Sequence, residues 1–362
     1  MNDRIGVADQ SSEWPSAFDI GGVRIGDGHC FVIAEAGVNH NGDAEMAARL
    51  IEAAVAAGAD AVKFQTFKAD QVVSAAAPKA TYQQITTAPG ESQLDMVRAL
   101  ELDGTQFAQL KAHCDRHGII FLSTPFDHSS VELLHGLGMP AIKIPSGEVT
   151  NLPLIRHMGS LGLPAILSTG MAFLEEVEEA VATLSEAGCP ALAILHCVSN
   201  YPAAPEDTNL RAMDTLRETF GVPIGLSDHS AGIEIALGAV ARGAAVIEKH
   251  FTLDKTLPGP DHQASLDPDE LRALVTGIRK VEAALGTGIK APQASETNTR
   301  MVARRSLFLR TALRDGQHIV QDDLIALRPG GGIPPNEIET VIGRRAARDL
   351  AAGTMLDPAD VA

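Results

Sequence analysis

The sequence is poor in cysteine, and its four cysteines lie far apart. None forms a C-x-x-C pair, so the ligand spacing of a zinc site is absent. Scattered single thiols are typical of proteins in a reducing compartment. We therefore expect a cytoplasmic protein with free thiols at Cys30, Cys114, Cys189 and Cys197.

Long hydrophobic runs, aromatic side chains and positive charge are also scarce. No apolar stretch approaches the roughly 20 residues that cross a bilayer, and the first residues lack the apolar core of a signal peptide. Aromatic residues make up 4% of the chain, with Trp14 the single tryptophan, which disfavours a base-stacking surface. Because 46 acidic residues face 29 basic ones, the net charge of -17 disfavours nucleic acid and anionic membranes as partners. The net charge does not exclude a small anionic substrate, because its binding site needs only a few local cations.

Short apolar or β-branched runs alternate with longer amphipathic segments along most of the chain. This order is typical of βα units that build a parallel sheet. We predict an α/β protein with a (β/α)8 TIM barrel, because polar residues follow nearly every run; an open, doubly wound sheet, which would gather them at one switch point, is the alternative. The predicted strands are 30–36, 61–67, 119–126, 141–148, 164–171, 192–198, 223–229 and 245–251.

The chain divides into four predicted parts. Residues 1–29 form an N-terminal extension with a hairpin around Gly21-Gly22, and residues 30–286 form the barrel. The polar residues 287–303 show no periodicity and are predicted to be a linker. Residues 304–362 hold short runs broken by RPGGGIPP, which predicts a small, mostly β domain that leans on a neighbour.

Two histidines end consecutive predicted strands, His229 in GLSDHS and His250 in IEKHF. Because consecutive barrel strands are neighbours, both imidazoles can share one divalent ion. Two separate, hydrogen-bonded histidines are the alternative. The nearby carboxylates of Asp228, Glu248 and Asp261 favour the metal site.

Three lysines, Lys63, Lys143 and Lys249, lie in predicted strands that should be largely buried. An anionic phosphate or carboxylate of a substrate would offset the desolvation of these ammonium groups. The alternative is that each lysine reaches a carboxylate at the rim. Lys249 is the weakest candidate, because its parity in the strand opposes that of His250.

Carboxylates, an amide and hydroxyl groups complete the predicted barrel mouth. Glu35 and Glu148 end the first and fourth strands, where general acid-base catalysis and a salt bridge to a lysine are both open. Gln65 shares a strand face with Lys63, because alternate residues of a strand point the same way. Hydroxyl groups that can point into the same mouth belong to Thr124, Ser146, Ser168 and Ser227.

These stretches together resemble the sialic acid synthase family, whose members join phosphoenolpyruvate to an N-acetylated amino sugar. The resemblance covers nearly the whole chain beyond the N-terminal extension, in family order. The tail, RRSLFLRTALRDGQHIVQDDLIALRPGGGIPP, is similar to the small antifreeze-like (SAF, β-clip) domain that ends these synthases. The other blocks that carry the resemblance are IAEAGVNHNG, AVKFQTFKAD, FLSTPFD, KIPSGEVTNLPLI, LSTGM, LHCVSNYPAAPEDTNL, GLSDHS, VIEKHFTLD and PGPDHQASLDPDEL.

The resemblance implies a role for each residue that matches a family motif. His229 and His250 would hold a divalent ion, expected to be Mn²⁺, with Mg²⁺ or Co²⁺ as alternatives. Arg328 lies in RPGGG, where the family more often has RPGNG, and would enter the site of a partner subunit, which implies a domain-swapped homodimer. The implied catalytic residues are Glu35, as the acid-base group, Lys63 and Lys143. Gln65, Thr124, Ser146, Ser168 and Ser227 would accompany the lysines around phosphoenolpyruvate, and Glu148, Tyr201 and Asp261 would contact the sugar.

The implied reaction condenses phosphoenolpyruvate, an N-acetylated mannosamine-type sugar and water into a nine-carbon 2-keto sugar acid and phosphate. N-acetylmannosamine, which would give N-acetylneuraminate, is the first expectation for the acceptor. The alternative is 2,4-diacetamido-2,4,6-trideoxymannose, which would give N,N'-diacetyllegionaminate. The segment GPDHQASL looks less like the pseudaminate branch of the family.

Two functions from other classes remain open. A class I aldolase would use Lys63 or Lys143 to form an imine with its substrate. A binding module would keep the pocket without turnover, although the intact acid-base, histidine and arginine positions speak against it.

Overall fold

The computed structural model describes residues 14–80, 83–84 and 90–362 of the 362-residue chain. These residues form two compact units that divide between Gly286 and Thr287. All four cysteines are buried and free, as predicted. Within the described part of the chain, no helix combines the length and the apolar character needed to cross a membrane.

Eight parallel strands of the first unit form a ring. They are β3 (Phe31–Gly37), β4 (Ala61–Thr66), β5 (Ile120–Pro125), β6 (Ile142–Ile144), β7 (Ala165–Ser168), β8 (Leu192–Cys197), β9 (Ile224–Asp228) and β10 (Val246–His250). The hydrogen-bonded order is β5-β4-β3-β10-β9-β8-β7-β6, and β5 lies beside β6 at the seam. Strands that follow one another in the chain are therefore neighbours all the way round, without the reversal of a doubly wound sheet. The predicted barrel is confirmed.

The fourth barrel strand is shorter than the predicted run 141–148. Strand β6 ends at Ile144, and Ser146–Glu148 form a single 3₁₀ turn. Pro145 explains the difference, because proline has no N–H to donate to a strand ladder. The side chains that follow β6 are therefore set by a turn and do not alternate as they would in a strand.

Helices surround the ring and lie in the segments that connect its strands. Many begin at an acidic cap: Asp43 accepts hydrogen bonds from the backbone N–H groups of Glu45 and Met46, and Asp267 forms a capping box with Glu270. The helices are α1 (Ala44–Ala57), α2 (Ala69–Val72), α3 (Gln93–Arg98), α4 (Gly104–His117), α5 (His128–Gly136), α6 (Leu152–Gly159), α7 (Leu174–Glu186), α8 (Ala212–Phe220), α9 (Glu234–Ala241) and α10 (Pro268–Leu285). Except for α2 and α3, their apolar faces cover the outside of the ring and form one core with it.

An antiparallel hairpin precedes the ring. It pairs β1 (Phe18–Ile20) with β2 (Val23–Ile25) through Gly21 and Gly22, both of which have positive φ. Gly21 lies directly against Ile120, at the amino-terminal end of β5. The hairpin therefore covers the barrel face opposite to the carboxyl ends of the strands.

The second unit has its own small core. It contains α11 (Thr297–Ala303), the antiparallel strands β11 (Ser306–Leu309) and β12 (Leu324–Leu327), and α12 (Ile338–Val341). The buried residues of this core include Leu307, Ile319 and Leu356. Arg328 follows β12 directly and is exposed.

Candidate active site at the carboxyl ends of the barrel strands

Polar side chains from most strands of the ring meet at their carboxyl ends. They line a cavity of about 320 Å³, which we call the mouth cavity. In TIM barrels this face carries the active site, whereas the opposite face serves stability. The mouth cavity contains eleven of the fourteen predicted site residues: Glu35, Lys63, Gln65, Thr124, Lys143, Ser146, Ser168, Tyr201, Ser227, His229 and His250.

A second cavity of similar size, about 280 Å³, lies on the opposite face of the barrel. Its lining includes Cys30, Arg217 and Glu282. Glu282 is already engaged there, because it accepts hydrogen bonds from the backbone N–H of Cys30 and from the Arg279 guanidinium. We therefore place the chemistry in the mouth cavity.

Lys63 connects two neighbouring strands at the bottom of the mouth cavity. Its Nζ donates to Thr124 Oγ1 at 2.7 Å and lies 2.7 Å from Glu35 Oε2. Gln65, two residues further along β4, donates to Glu35 Oε1 at 3.4 Å. The period-two prediction that Lys63 and Gln65 share a face agrees with these contacts.

Lys143 lies two strands away, on β6. Its Nζ donates to Ser168 Oγ at 2.7 Å. Between the two lysines lies Glu248, with Oε2 at 3.8 Å from Lys63 and Oε1 at 3.7 Å from Lys143. Ser227 donates to the same Oε1 at 3.0 Å. Two ammonium groups, two carboxylates and three hydroxyl groups therefore form one buried, charged cluster.

The pKa values of the two buried carboxyl groups in this cluster are shifted in opposite directions. Burial raises the pKa of Glu35, Lys63 opposes the rise and the Glu248 charge adds to it, which leaves the pKa at about 7. Burial also acts against the charge of Glu248, but Lys143 and Lys63 lower the pKa of that carboxyl to about 2. Glu248 is thus a fixed counter-ion, and Glu35 can exchange a proton near neutral pH.

His229 and His250 face one another at the outer part of the cavity, with ring centroids 5.5 Å apart. His229 Nδ1 lies 2.7 Å from the carbonyl of Val198, so this nitrogen donates and Nε2 is left to act as a ligand. His250 Nδ1 is buried and has no hydrogen-bond partner among the described residues, and Asp261 Oδ2 lies 3.9 Å away. Burial lowers the pKa of His250 far below its usual value, which keeps the ring neutral. A neutral imidazole with an unused nitrogen fits a divalent metal ion.

Gly37 makes the close approach of these groups sterically allowed. A Cβ at this position would lie 3.3 Å from both Glu35 Oε1 and His250 Cε1. The residue also has φ of +54°. Any side chain here would be strained and would crowd both the Glu35 carboxyl and the His250 ring.

Tyr201 and Asp261 lie beside the two histidines. The Tyr201 ring packs on His229 at a centroid distance of 4.1 Å and meets His250 edge-on at 5.5 Å. Asp261 is buried, and burial raises its pKa to about 6. Their position beside the histidines is compatible with the predicted contacts to a sugar.

Two predicted site residues lie elsewhere. Glu148 is half-buried on the 3₁₀ turn after Pro145, accepts a hydrogen bond from Asn151 Nδ2 at 2.7 Å, and does not line the mouth cavity. Arg328 belongs to the second unit. Lys249, the weakest of the three lysines, donates to Asp228 at 2.7 Å and is absent from the mouth lining, as its parity predicts.

Glu248 also lines the mouth cavity, although the sequence places it only among the carboxylates near the histidines. It lies two residues before His250 in β10, so the period-two rule that paired Lys63 with Gln65 also places Glu248 on the inner face.

Comparison with known proteins identifies the family. A profile of the NeuB family matches residues 50–290, and a profile of the SAF domain matches residues 304–362. The first match alone spans more than half of the chain. The chain belongs to the NeuB family.

Similar proteins match most of this NeuB-family chain. The N,N'-diacetyllegionaminic acid synthase of Legionella pneumophila is 49% identical over 90% of this chain and 93% of its own. The enzyme of the same name from Campylobacter jejuni is 48% identical over 88% of this chain and 96% of its own. Among solved structures, the N-acetylneuraminic acid synthetase of Leptospira borgpetersenii matches with a TM-score of 0.69 and 38% identity, over 78% of this chain and 94% of that one.

Proposed function

We propose that this protein is a phosphoenolpyruvate-dependent nonulosonic acid synthase that forms N,N'-diacetyllegionaminate. It would condense phosphoenolpyruvate, 2,4-diacetamido-2,4,6-trideoxymannose and water into the nine-carbon 2-keto acid and phosphate. The observation that carries the reaction is the cluster of Lys63, Lys143 and Glu35 beside His229 and His250 in one barrel mouth. The proposed acceptor rests on the relatives. Those at 49% and 48% identity carry the legionaminate name, whereas the N-acetylneuraminic acid synthetase is 38% identical.

The sequence alone favoured N-acetylmannosamine as the acceptor. The relatives support the second of the two acceptors better, and we adopt it. The two sugars share the 2-acetamido group and the aldehyde carbon, so the same donor site and the same bond formation serve both. They differ at carbons 4 and 6, where the diacetamido sugar carries an acetamido group and a methyl group instead of hydroxyl-bearing groups.

The donor end of the cavity suits phosphoenolpyruvate. Lys63 and Lys143, held by Thr124 and Ser168, present two cations to a phosphate or carboxylate. Ser146 Oγ accepts from the backbone N–H of Gly170 at 2.8 Å, which fixes its hydroxyl group at the wall of the cavity. Charged donors fixed in a buried site stabilise both the bound anion and the departing phosphate.

A divalent ion, Mn²⁺ by preference, would be held by His229 and His250 and would act as a Lewis acid on the acceptor aldehyde. The residues around it perform the remaining tasks. Tyr201 packs against both imidazoles and restricts their rotation. Val198, through its carbonyl, holds the tautomer of His229.

The electron pair for the new bond comes from the C2–C3 double bond of phosphoenolpyruvate. Carbon 3 bonds to the aldehyde carbon of the open-chain sugar, and the aldehyde oxygen takes a proton. Glu35, with a pKa of about 7, is placed to supply or accept a proton in this step or in the addition of water to carbon 2. The tetrahedral carbon 2 then loses phosphate by cleavage of the C–O bond and becomes the keto carbon.

Arg328 and the second unit belong to the proposal as parts of a homodimer. Arg328 is exposed in its own chain and would complete the site of a partner subunit. A mixture of Arg328→Ala and Glu35→Gln chains should then recover part of the activity, because hybrid dimers contain one site with neither lesion. Inactive mixtures in which hybrids are shown to form would contradict this arrangement. The proposed compartment is the cytoplasm, which the four buried free thiols support.

A class I aldolase is the second candidate function. One observation favours it: burial lowers the pKa of Lys143, and an imine-forming lysine must be neutral to attack. The donors around this lysine, Ser168 and the Ser227–Glu248 pair, suit a phosphate-binding cation equally well.

Incubation of the full-length protein with phosphoenolpyruvate, Mn²⁺ and each of the two sugars tests the proposed reaction. We expect mass spectrometry to show the diacetamido nine-carbon acid together with released phosphate, and kcat/KM to favour that sugar by at least about tenfold. Product from N-acetylmannosamine alone would overturn the acceptor. If neither sugar led to the release of phosphate, the proposed synthase reaction would be wrong.

A further inference from the structure

A smaller cavity of about 200 Å³ adjoins the mouth cavity and has no role in the reaction described above. The two cavities share Gln65, Phe126 and Tyr201 as walls. Asp261, which lies beside His250, also lines the smaller cavity. We call this smaller cavity the side chamber.

Nine of the fourteen residues that line the side chamber are apolar, and the polar side chains of Gln65, Gln83, Gln93 and Asp261 share its walls. Its outer wall comes from α2 and α3, in the long segment between β4 and α4. Its inner wall comes from the loops after β3 and β4. Met96, Phe67 and Val38 are only 5%, 7% and 6% exposed. The remaining apolar lining includes Val72, Val73, Val97, Leu100 and Pro260.

The side chamber adjoins the histidine side of the mouth cavity and not its phosphoenolpyruvate end. Neither Lys143 nor Ser168, the donor groups of the phosphoenolpyruvate end, lines it. Tyr201 and Asp261, on the side of the histidines, do. An acceptor whose aldehyde carbon lies near His229 and His250 therefore has the side chamber within reach of its far end.

We propose that the side chamber is the subsite that selects the acceptor, by taking the apolar methyl groups of an acylamino, 6-deoxy sugar. This inference rests on the proposed function and specifies how its acceptor is chosen. The amide of an acetamido group would find polar partners at the chamber walls, in Gln65, Gln93 and Asp261. Its methyl group, and the methyl group at carbon 6, would lie against Met96 and Val97.

The same walls would disfavour N-acetylmannosamine. Its hydroxyl groups at carbons 4 and 6 would exchange hydrogen bonds with water for contacts with valine, leucine and methionine side chains. An apolar pocket discriminates by about 10-fold to 200-fold for each methyl-sized difference. The side chamber therefore supplies discrimination that the charged donor end, which contacts groups common to both sugars, does not.

Two phenylalanine substitutions on α3 and its C-cap test the inference. Val97 lines the side chamber, whereas Ala99, two residues later, is exposed and lies outside its lining. We expect Val97→Phe to fill the chamber and to lower kcat/KM for the diacetamido sugar by at least about tenfold, with KM for phosphoenolpyruvate unchanged. Ala99→Phe should behave as the wild type. Val97→Thr keeps the shape and replaces one methyl group by a hydroxyl group, and should lower the preference for the diacetamido sugar without affecting the fold.

The outcomes separate this inference from the proposed function. A wild-type protein that prefers N-acetylmannosamine, or uses neither sugar, contradicts the proposed function itself. A wild type that prefers the diacetamido sugar, together with folded Val97→Phe and Val97→Thr proteins that keep the same preference, overturns only the side chamber. A loss of activity with both sugars and a raised KM for phosphoenolpyruvate would also overturn it, because the substitution would then act on the donor site.

A separate observation concerns the outside of the barrel. His113 and His117 lie one turn apart on α4, and Glu52 lies on α1, which packs beside α4. One donor atom from each residue lies within 4.8 Å of the others, and His113 Nε2 is 3.4 Å from Glu52 Oε1. His113 Nε2 is buried without a hydrogen-bond partner among the described residues.

We infer that this group, the outer His-Glu group, is a second metal site, for Zn²⁺ or a similar divalent transition ion. Two imidazoles at i and i+4 on one helix face and a carboxylate are a known zinc donor set. Arg116 donates to His113 Nδ1 at 3.0 Å. Because coordination at Nε2 returns the proton to Nδ1, the exposed Arg116 side chain must turn away when the ion binds.

Zinc binding to the full-length protein, measured by equilibrium dialysis, tests this second site. We expect His117→Ala to lower the bound zinc by about one ion per chain, while turnover supported by Mn²⁺ stays unchanged. His135→Ala removes another exposed histidine, on α5, and should leave zinc binding as in the wild type. Identical zinc binding by wild type and His117→Ala would overturn the site.

Discussion

Glu35 Oε2 lies 2.7 Å from Lys63 Nζ, and the two side chains expose only 1% and 3% of their surfaces. The two residues are direct neighbours in the ladder between β3 and β4. Lys63 Nζ also lies 3.8 Å from Glu248 Oε2, so a single buried cation faces two carboxylates. One carboxylate of such a set holds its proton more tightly than the other, and Glu35 is that one.

Substitution of Glu35 by glutamine keeps the shape of the side chain and removes its ability to exchange a proton. We expect kcat to fall by about 10²-fold to 10⁴-fold, the usual contribution of general acid-base catalysis. The thermal melting curve should remain cooperative. Glu186→Gln, at an exposed carboxylate on α7, is the matched control and should keep wild-type turnover. A Glu35→Gln protein with more than a small fraction of wild-type kcat would exclude the acid-base role.

Removal of the divalent ion should abolish turnover, and Mn²⁺ should restore it. We expect His229→Ala to lose both activity and tight Mn²⁺ binding, measured by electron paramagnetic resonance, because one of two imidazole ligands is gone. His128→Ala, at a surface histidine of α5, should bind Mn²⁺ like the wild type. Full activity after exhaustive chelation would contradict the metal requirement.

Substitution of Glu248 by glutamine should change the pH dependence in a defined direction. Burial lowers the pKa of Lys63, but the charges of Glu248 and Glu35 outweigh it and raise that pKa above its usual value. Burial lowers the pKa of Lys143 below its usual value, although the Glu248 charge raises it in part. Without the carboxylate both lysines lose their protons at lower pH, so the alkaline limb of kcat/KM for phosphoenolpyruvate should move to lower pH. An alkaline limb that stays in place, or moves to higher pH, would show that neither lysine needs its charge.

The role of Lys143 separates the synthase from an aldolase. A phosphate-binding lysine stays charged, whereas an imine-forming lysine must be neutral. We therefore expect borohydride reduction in the presence of pyruvate to leave no adduct at Lys143 or Lys63, and pyruvate to be inert as a donor. Oxygen from isotopically labelled water should enter the carbon-2 carbonyl of the product. Label found in phosphate instead, or a pyruvyl-lysine, would favour the other mechanisms.

Asp127 caps α5 and should make the fold sensitive to acid. Burial raises its pKa, but the hydrogen bonds it accepts from Ser129, Ser130 and the backbone N–H of Lys68 lower it below the ordinary value. Because the folded pKa is lower than the unfolded one, the stabilisation is complete above the unfolded pKa and is lost as pH falls through the folded pKa.

We therefore expect Asp127→Asn to lose about 1–2 kcal/mol of unfolding free energy at neutral pH. The difference from wild type should shrink as the pH falls through the acid range, in chemical denaturation at several pH values. Asp115→Asn, at an exposed carboxylate of α4, is the control. An Asp127→Asn deficit that is independent of pH would show that the hydrogen bonds do not act through the charge.

Much of the candidate site followed from strand parity. Lys63 with Gln65, and Ser227 with His229, share faces because alternate side chains of a strand point to the same side, whatever surrounds them. The same rule distinguished Lys249 from the lysines of the mouth cavity, and Lys249 pairs with Asp228 outside that cavity. Applied to β10 it would also have found Glu248.

The rule of alternate side chains failed for residues that lie beyond the end of a strand. Pro145 ends β6, and Glu148 then lies on a 3₁₀ turn with Asn151 as its partner. A turn residue takes its direction from local backbone angles, which the run of apolar residues before it does not reveal. The sugar contact assigned to Glu148 by resemblance therefore stays a prediction.

The sequence by itself determined the barrel, the small second unit and the faces on which most polar residues lie, because these depend on short-range periodicity and on turn residues. Only the tertiary structure decided which charges oppose one another and which apolar side chains enclose space. The pKa of Glu35 depends on burial and on Lys63 and Glu248, which reach it from different strands. The side chamber likewise exists because Val38, Met96 and Tyr201, remote in the chain, converge on one side of the mouth, and no local pattern encodes a distance between such segments.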